Sequence, residues 1–115
     1  GILNFGASLS WSKWWRFEEL LSNSYDKLLK LNKPMMISEF GSLSVGGERS
    51  HWFKDAFTVI PKDYRAINSI VFFHYPNETS TDKSLDWYIL EDKKVTNELI
   101  KQMKNWPDSI QTPDH

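Results

Sequence analysis

Glu39 interrupts an otherwise apolar run, Met35-Met36-Ile37-Ser38-Glu39-Phe40, which Gly41 ends. A carboxylate is costly to bury without a partner. A Glu in such a run is therefore turned to solvent, paired with a neighbouring Arg or Lys, or kept for function. Aromatic residues are the second unusual feature: six Trp, four Tyr and seven Phe make 15% of the chain. Trp11, Trp14, Trp15, Tyr75 and Trp87 stand in polar, loop-like contexts. Two readings of them stay open. They cap a small core, where an aromatic ring buries a large area, or their flat faces stack on the C–H faces of pyranose rings. His51, His74 and His115 lack metal-ligand spacing, and there is no cysteine to supply a thiolate, so neither a metal nor a cofactor is expected. Asn77-Glu78-Thr79 is a formal glycosylation triplet, Gly46-Gly47 reads as a flexible turn, and Asp82 and Asp86 read as solvated loop carboxylates.

The elements that must position Glu39 follow from periodicity. Residues 2–5 form a short apolar start, and residues 6–12 are turn-like. Over 14–31, Phe17, Leu20, Leu21, Tyr25, Leu28 and Leu29 fall at helical spacing, with Ser12 as the expected N-cap. Asn32-Lys33-Pro34 stops that helix. The run 35–40 suits a buried parallel strand, with Glu39 at its penultimate position. A second helix is expected over 48–60, with Pro61 after it. Residues 66–73 make another apolar strand, 74–86 a polar loop, and about 95–105 a last helix. A polar tail, 107–115, follows a first unit spanning 1–106.

Strands alternating with helices predict an α/β fold with a parallel sheet. Three such units cannot close a (β/α)8 barrel, which typically takes ~250 residues. The alternatives are a partial TIM barrel or a small open α/β domain. In either, ligands bind beyond the carboxyl ends of the strands. Those ends here are Asn4 and Phe5, Glu39 and Phe40, and His74 and Tyr75. The net charge of -1 gives no concentrated positive patch for nucleic acid or anionic membrane. No apolar run approaches the ~18 residues of a membrane span, and no signal-peptide pattern opens the sequence.

Lys33-Pro34-Met35-Met36-Ile37-Ser38-Glu39-Phe40-Gly41-Ser42 resembles the strand-seven motif of glycoside hydrolase family 26, the β-mannanase-type retaining (β/α)8 enzymes. Phe17-Glu18-Glu19 and Tyr25 are similar to the preceding helix, and Trp52-Phe53-Lys54-Asp55-Ala56 to the following one. Ser69-Ile70-Val71-Phe72-Phe73 resembles strand eight, and Asp86-Trp87 the loop after it. The resemblance implies that the chain is about the last three βα units of a partial TIM barrel, with Glu39 at the nucleophile's position. It implies a β-linked, mannan- or glucan-like polysaccharide or oligosaccharide as substrate, and an extracellular or periplasmic setting. Trp11, Trp14, Trp15, Phe40, Phe72, His74, Tyr75 and Trp87 become candidates to line the sugar cleft.

A retaining glycosidase needs a second carboxyl group roughly 5–5.5 Å from the nucleophile as acid/base. In the resembled family it comes from strand four, which has no counterpart here; Glu48, Glu78 and Glu91 carry no matching motif. The 115-residue chain alone is therefore expected to be inactive. Two positions depart from the pattern. Leu3 stands where a Tyr would hydrogen-bond the nucleophile, and Phe72 where a Trp would floor the sugar site. His74 either orients Glu39 or a sugar hydroxyl, or is an ordinary loop histidine. The competing reading is a non-catalytic carbohydrate-binding or regulatory module, such as one attached to a polysaccharide synthase. An open partial barrel exposes sheet edges and apolar faces, so the remainder of a parent barrel, or self-association, is expected to cover them.

Overall fold

The computed structural model describes residues 1–73, 86–104 and 106. The element order is β1 (Ile2–Asn4), α1 (Phe17–Leu29), β2 (Met35–Ser42), α2 (Arg49–Asp63), β3 (Ile67–Phe72) and α3 (Lys93–Met103). The three strands form a parallel sheet in the order β1-β2-β3. Ile2 pairs with Phe40 and Asn4 with Ser42 on one side of β2, and Ile37 with Ile70 and Phe40 with Phe72 on the other. Parallel neighbours require crossover connections, and α1 and α2 are those connections.

Helices and sheet meet in one aromatic core. Phe17, Leu21 and Tyr25 of α1 join Ile37 and Phe40 of β2, Ile67 of β3, and Trp52, Phe53, Ala56, Phe57 and Ile60 of α2. Val95 of α3 belongs to the same cluster. On the opposite face of the sheet, among the described residues, Met36 is 60% and Val71 51% exposed. This two-layer arrangement leaves an apolar surface that a lone domain ordinarily buries.

Helix ends differ from the sequence expectation for identifiable reasons. Ser12 does not cap α1. Its hydroxyl donates to the Gly6 carbonyl at 2.6 Å and accepts from the Leu9 amide at 3.1 Å, fixing the loop instead. The α1 N-cap is Arg16, whose amide donates to Glu19 Oε1 at 3.2 Å. α2 does not stop before Pro61 but runs on to Asp63. A proline inside a helix removes the amide that would bond the carbonyl four residues back. That carbonyl, on Phe57, instead accepts from Trp106 Nε1 at 2.9 Å, while the two rings stack 4.7 Å apart. α3 starts at Lys93, two residues before the expected 95, because Asp92 caps it by accepting from the Val95 amide at 3.2 Å. The tail 107–115 lies outside the described residues.

Candidate functional site

Glu39 lies within β2 rather than next to its end, since the strand continues through Gly41 and Ser42 to pair with Leu3 and Asn4. Pairing is irregular between Ile37 and Phe40. Both of those residues are buried, while Ser38 and Glu39 between them are exposed. A local bulge of this kind re-aims side chains. It turns Glu39 away from the helices while leaving Phe40 among them. No described residue hydrogen-bonds or ion-pairs the Glu39 carboxylate. Its Cβ sits beside the backbone of Gly1, where an added Cβ would lie 3.2 Å away. Leu3, opposite Gly41 in the register, brings no donor to this side of the sheet.

The predicted cleft residues separate into groups. Phe40 is a core residue at 0% exposure, ringed by Phe17, Trp52, Phe53, Phe57 and Phe72 at centroid distances of 5.2–5.8 Å. Phe72 stacks on Phe57 at 6.0 Å on the same helix side. Their assignment to a sugar cleft is corrected: their faces are occupied by other rings. Trp14 is also a packing residue. It lies flat on the β2–α2 loop, where an added Cβ on Gly47 would meet its ring at 2.5 Å, so only glycine admits this approach. Trp87 was expected in a polar loop, yet it is 6% exposed. It meets Phe5 at 5.1 Å and Phe73 at 5.3 Å edge to face, and an added Cβ on Gly41 would lie 3.3 Å from its ring. The ring thus covers the carboxyl end of β2. Trp11 and Trp15 present open surface, at 79% and 37% exposure, on the loop that follows β1. Lys13 Nζ sits 4.2 Å from the Trp15 ring centroid. His74 and Tyr75 lie outside the described residues, as do Glu78 and Asp82.

Two polar residues hold this end together and carry no motif that marks them. Asn4 is fully buried and satisfied: its amide donates to Ser42 Oγ at 3.0 Å, and its Oδ1 accepts from the Gly6 and Trp15 amides, each at 3.1 Å. It ties β1 to β2 and anchors the loop bearing Trp11 and Trp15. The Trp15 carbonyl in turn accepts from Trp52 Nε1 at 3.0 Å. Arg49, at the start of α2, is 7% exposed and makes three hydrogen bonds to the segment after β3. A buried Asn at a strand end is a readable signal. The Arg49 contacts, 37 to 43 residues away in sequence, are not.

Other features lie elsewhere. A cavity of about 220 Å³ opens between α1 and the amino-terminal ends of the strands, lined mainly by Ile2, Leu21, Tyr25, Leu28, Met35 and Ile67. It holds no carboxylate and lies at the opposite end of the sheet from Trp87. Tyr64, between α2 and β3, donates to Glu18 Oε1 at 3.2 Å; burial and the Glu18 charge push its hydroxyl up to about 12. Among the described residues, no group of three His, Asp or Glu side chains is placed to hold a metal, and no helix is long and apolar enough to cross a membrane.

No protein-family model matches the chain. Over 87 residues it is 36% identical to Endoglucanase H of Acetivibrio thermocellus, a match that takes in 75% of this chain and 9% of that protein. The chain therefore spans less than a tenth of the curated relative it matches.

Proposed function

We propose that this chain supplies the last βα units of a retaining (β/α)8 glycoside hydrolase of the family-26 kind, acting on a β-linked glucan, with Glu39 as its nucleophile. The similarity to an endoglucanase carries the reading. Three parallel strands with helices on one face, and Met36 and Val71 exposed on the other, support the partial barrel. The exposure of Glu39 on the side away from the helices supports its role.

In a retaining mechanism the Glu39 carboxylate attacks the anomeric carbon as an acid/base carboxyl group protonates the departing glycosidic oxygen. Water, deprotonated by the same acid/base group, then hydrolyses the glycosyl ester and frees Glu39. Among the described residues, Glu48 is engaged by Ser50 and lies 3.9 Å from Lys94, so it is a poor acid/base candidate. That group comes from another part of the barrel. Trp11 and Trp15 offer exposed ring faces to the glucan, and Trp87 supports the floor beneath.

A second reading, a non-catalytic carbohydrate-binding module, is favoured by one observation: Leu3 offers no hydrogen bond to Glu39, leaving the carboxylate unoriented. Kinetics of Glu39→Ala in the complete gene product separate the two. The enzyme reading expects hydrolysis of soluble β-glucan to fall by about 10³-fold or more, with partial rescue by azide, a small nucleophile that fits the vacated space. A parent that binds β-glucan without cleaving it favours the binding module.

A further inference from the structure

Arg49 is a cation buried at the junction of α2 with the segment that follows β3. Its Nε donates to Asp92 Oδ2 at 2.8 Å, Nη1 to the Asp86 carbonyl at 2.9 Å, and Nη2 to the Tyr88 carbonyl at 3.1 Å. All three acceptors belong to residues 86–92, a stretch that has neither helix nor strand until α3 begins. Two backbone carbonyls and one carboxylate are thus gathered by a single planar fork, a geometry that a lysine ammonium cannot reproduce. Asp86 adds a local tie, its Oδ1 accepting from the Tyr88 amide at 2.9 Å.

The residue held between those two carbonyls is Trp87. Its ring is wedged between Phe5 and Phe73 and lies against Gly41, two residues beyond Glu39 in the same strand. A Cβ at position 41 would sit 3.3 Å from the Trp87 ring and 3.5 Å from the Phe73 carbonyl, so strand and ring are in close contact. Displacement of the 86–92 segment therefore transmits to the end of β2.

We propose that Arg49 is a positioning residue for the carbohydrate site: it sets the 86–92 segment so that Trp87 closes over Gly41 and fixes the part of β2 that carries Glu39. The inference rests on the reading of Glu39 as the reactive carboxylate. Arg49 touches neither Glu39 nor the sugar; it acts through Trp87.

The test is a double-mutant cycle in the complete gene product, with kcat and KM measured on soluble β-glucan for Arg49→Lys, Trp87→Phe and the double variant, and Glu39→Gln measured alongside. A displacement of ~1 Å at a reacting group costs on the order of 10²-fold, so Arg49→Lys is expected to lower kcat by about 10–100-fold. KM should stay within about threefold, because the loss is in transition-state positioning. The double variant should lose no more than the worse single variant, since both act on one contact. Asp92→Asn, which keeps the side-chain size and both carbonyl contacts, should show the same pattern more weakly and covers the case in which Arg49→Lys does not fold. Full activity in Arg49→Lys, or losses that multiply in the double variant, would overturn the inference. Wild-type activity in Glu39→Gln would remove the nucleophile reading, while the cycle would still decide whether Arg49 acts through Trp87. Absence of hydrolysis by the parent protein overturns both together.

Discussion

Replacing Phe40 by alanine removes a ring that contacts five others and has no exposed surface. Truncating a fully buried Phe to Ala costs about 3–5 kcal/mol, part from lost transfer energy and part from the cavity left behind. The upper end is expected here, because Phe17, Phe53, Phe57 and Phe72 are held by helices and strand and cannot collapse into the space. At about 4 °C of Tm per kcal/mol for a domain of this length, the shift is roughly 12–20 °C. Thermal unfolding followed by near-UV circular dichroism, at one fixed protein concentration because association shifts Tm, measures it. Phe40→Leu, which preserves most of the volume, is the milder control at roughly 1–3 kcal/mol. Trp11→Ala, at a position 79% exposed, should change stability by less than about 0.5 kcal/mol. A Phe40→Ala protein that melts like the parent but loses affinity for β-glucan would refute this reasoning and return Phe40 to the sugar cleft.

Further outcomes follow from the same geometry. The isolated 115-residue polypeptide should release no reducing sugar from β-glucan; Glu39-dependent release would show that the acid/base group lies within it. Its exposed apolar face, with Met36 and Val71 accessible, should drive self-association in light scattering, and Val71→Asp should weaken it; an isolated 115-residue polypeptide that is a monodisperse monomer contradicts this. Asn4→Ala strips the partner from the Gly6 and Trp15 amides, and a buried unsatisfied group costs about 1–3 kcal/mol, readable as a lowered denaturation midpoint. Tyr64 has its hydroxyl raised to about 12 in the folded chain, against about 10 when unfolded. The folded state therefore favours the neutral form. The stability this contributes is complete below about pH 10 and is lost as pH rises from there towards 12. Tyr64→Phe should flatten that part of the stability–pH curve, and an unchanged curve would argue against the burial and the Glu18 contact that together raise it.

The alternation of elements was legible in the sequence because helical and strand periodicities are local. Phe17, Leu21 and Tyr25 mark one face of α1, and Trp52, Phe53, Ala56, Phe57 and Ile60 one face of α2. The direction of side chains in β2 was not legible. Strict alternation puts Ile37 and Glu39 on one face, yet Ile37 and Phe40 are buried and Ser38 and Glu39 exposed. The irregularity between Ile37 and Phe40 depends on pairing with β3, which no window of sequence contains. Trp87 failed for a related reason: its partners Phe5, Gly41 and Phe73 come from three separate strands or strand ends. The polar context of its neighbours said nothing of them. Ser12 had the right chemistry for a cap, but its hydroxyl is used by Gly6 and Leu9, four residues before the actual cap at Arg16.

Trapping the glycosyl intermediate tests the assignment of Glu39 most directly. The complete gene product is incubated with a 2-deoxy-2-fluoro-β-glucoside bearing a good leaving group, digested, and the labelled peptide sequenced by mass spectrometry. The account predicts one glycosyl group, esterified to Glu39. A label on any other carboxylate, from a protein that hydrolyses β-glucan, would contradict it.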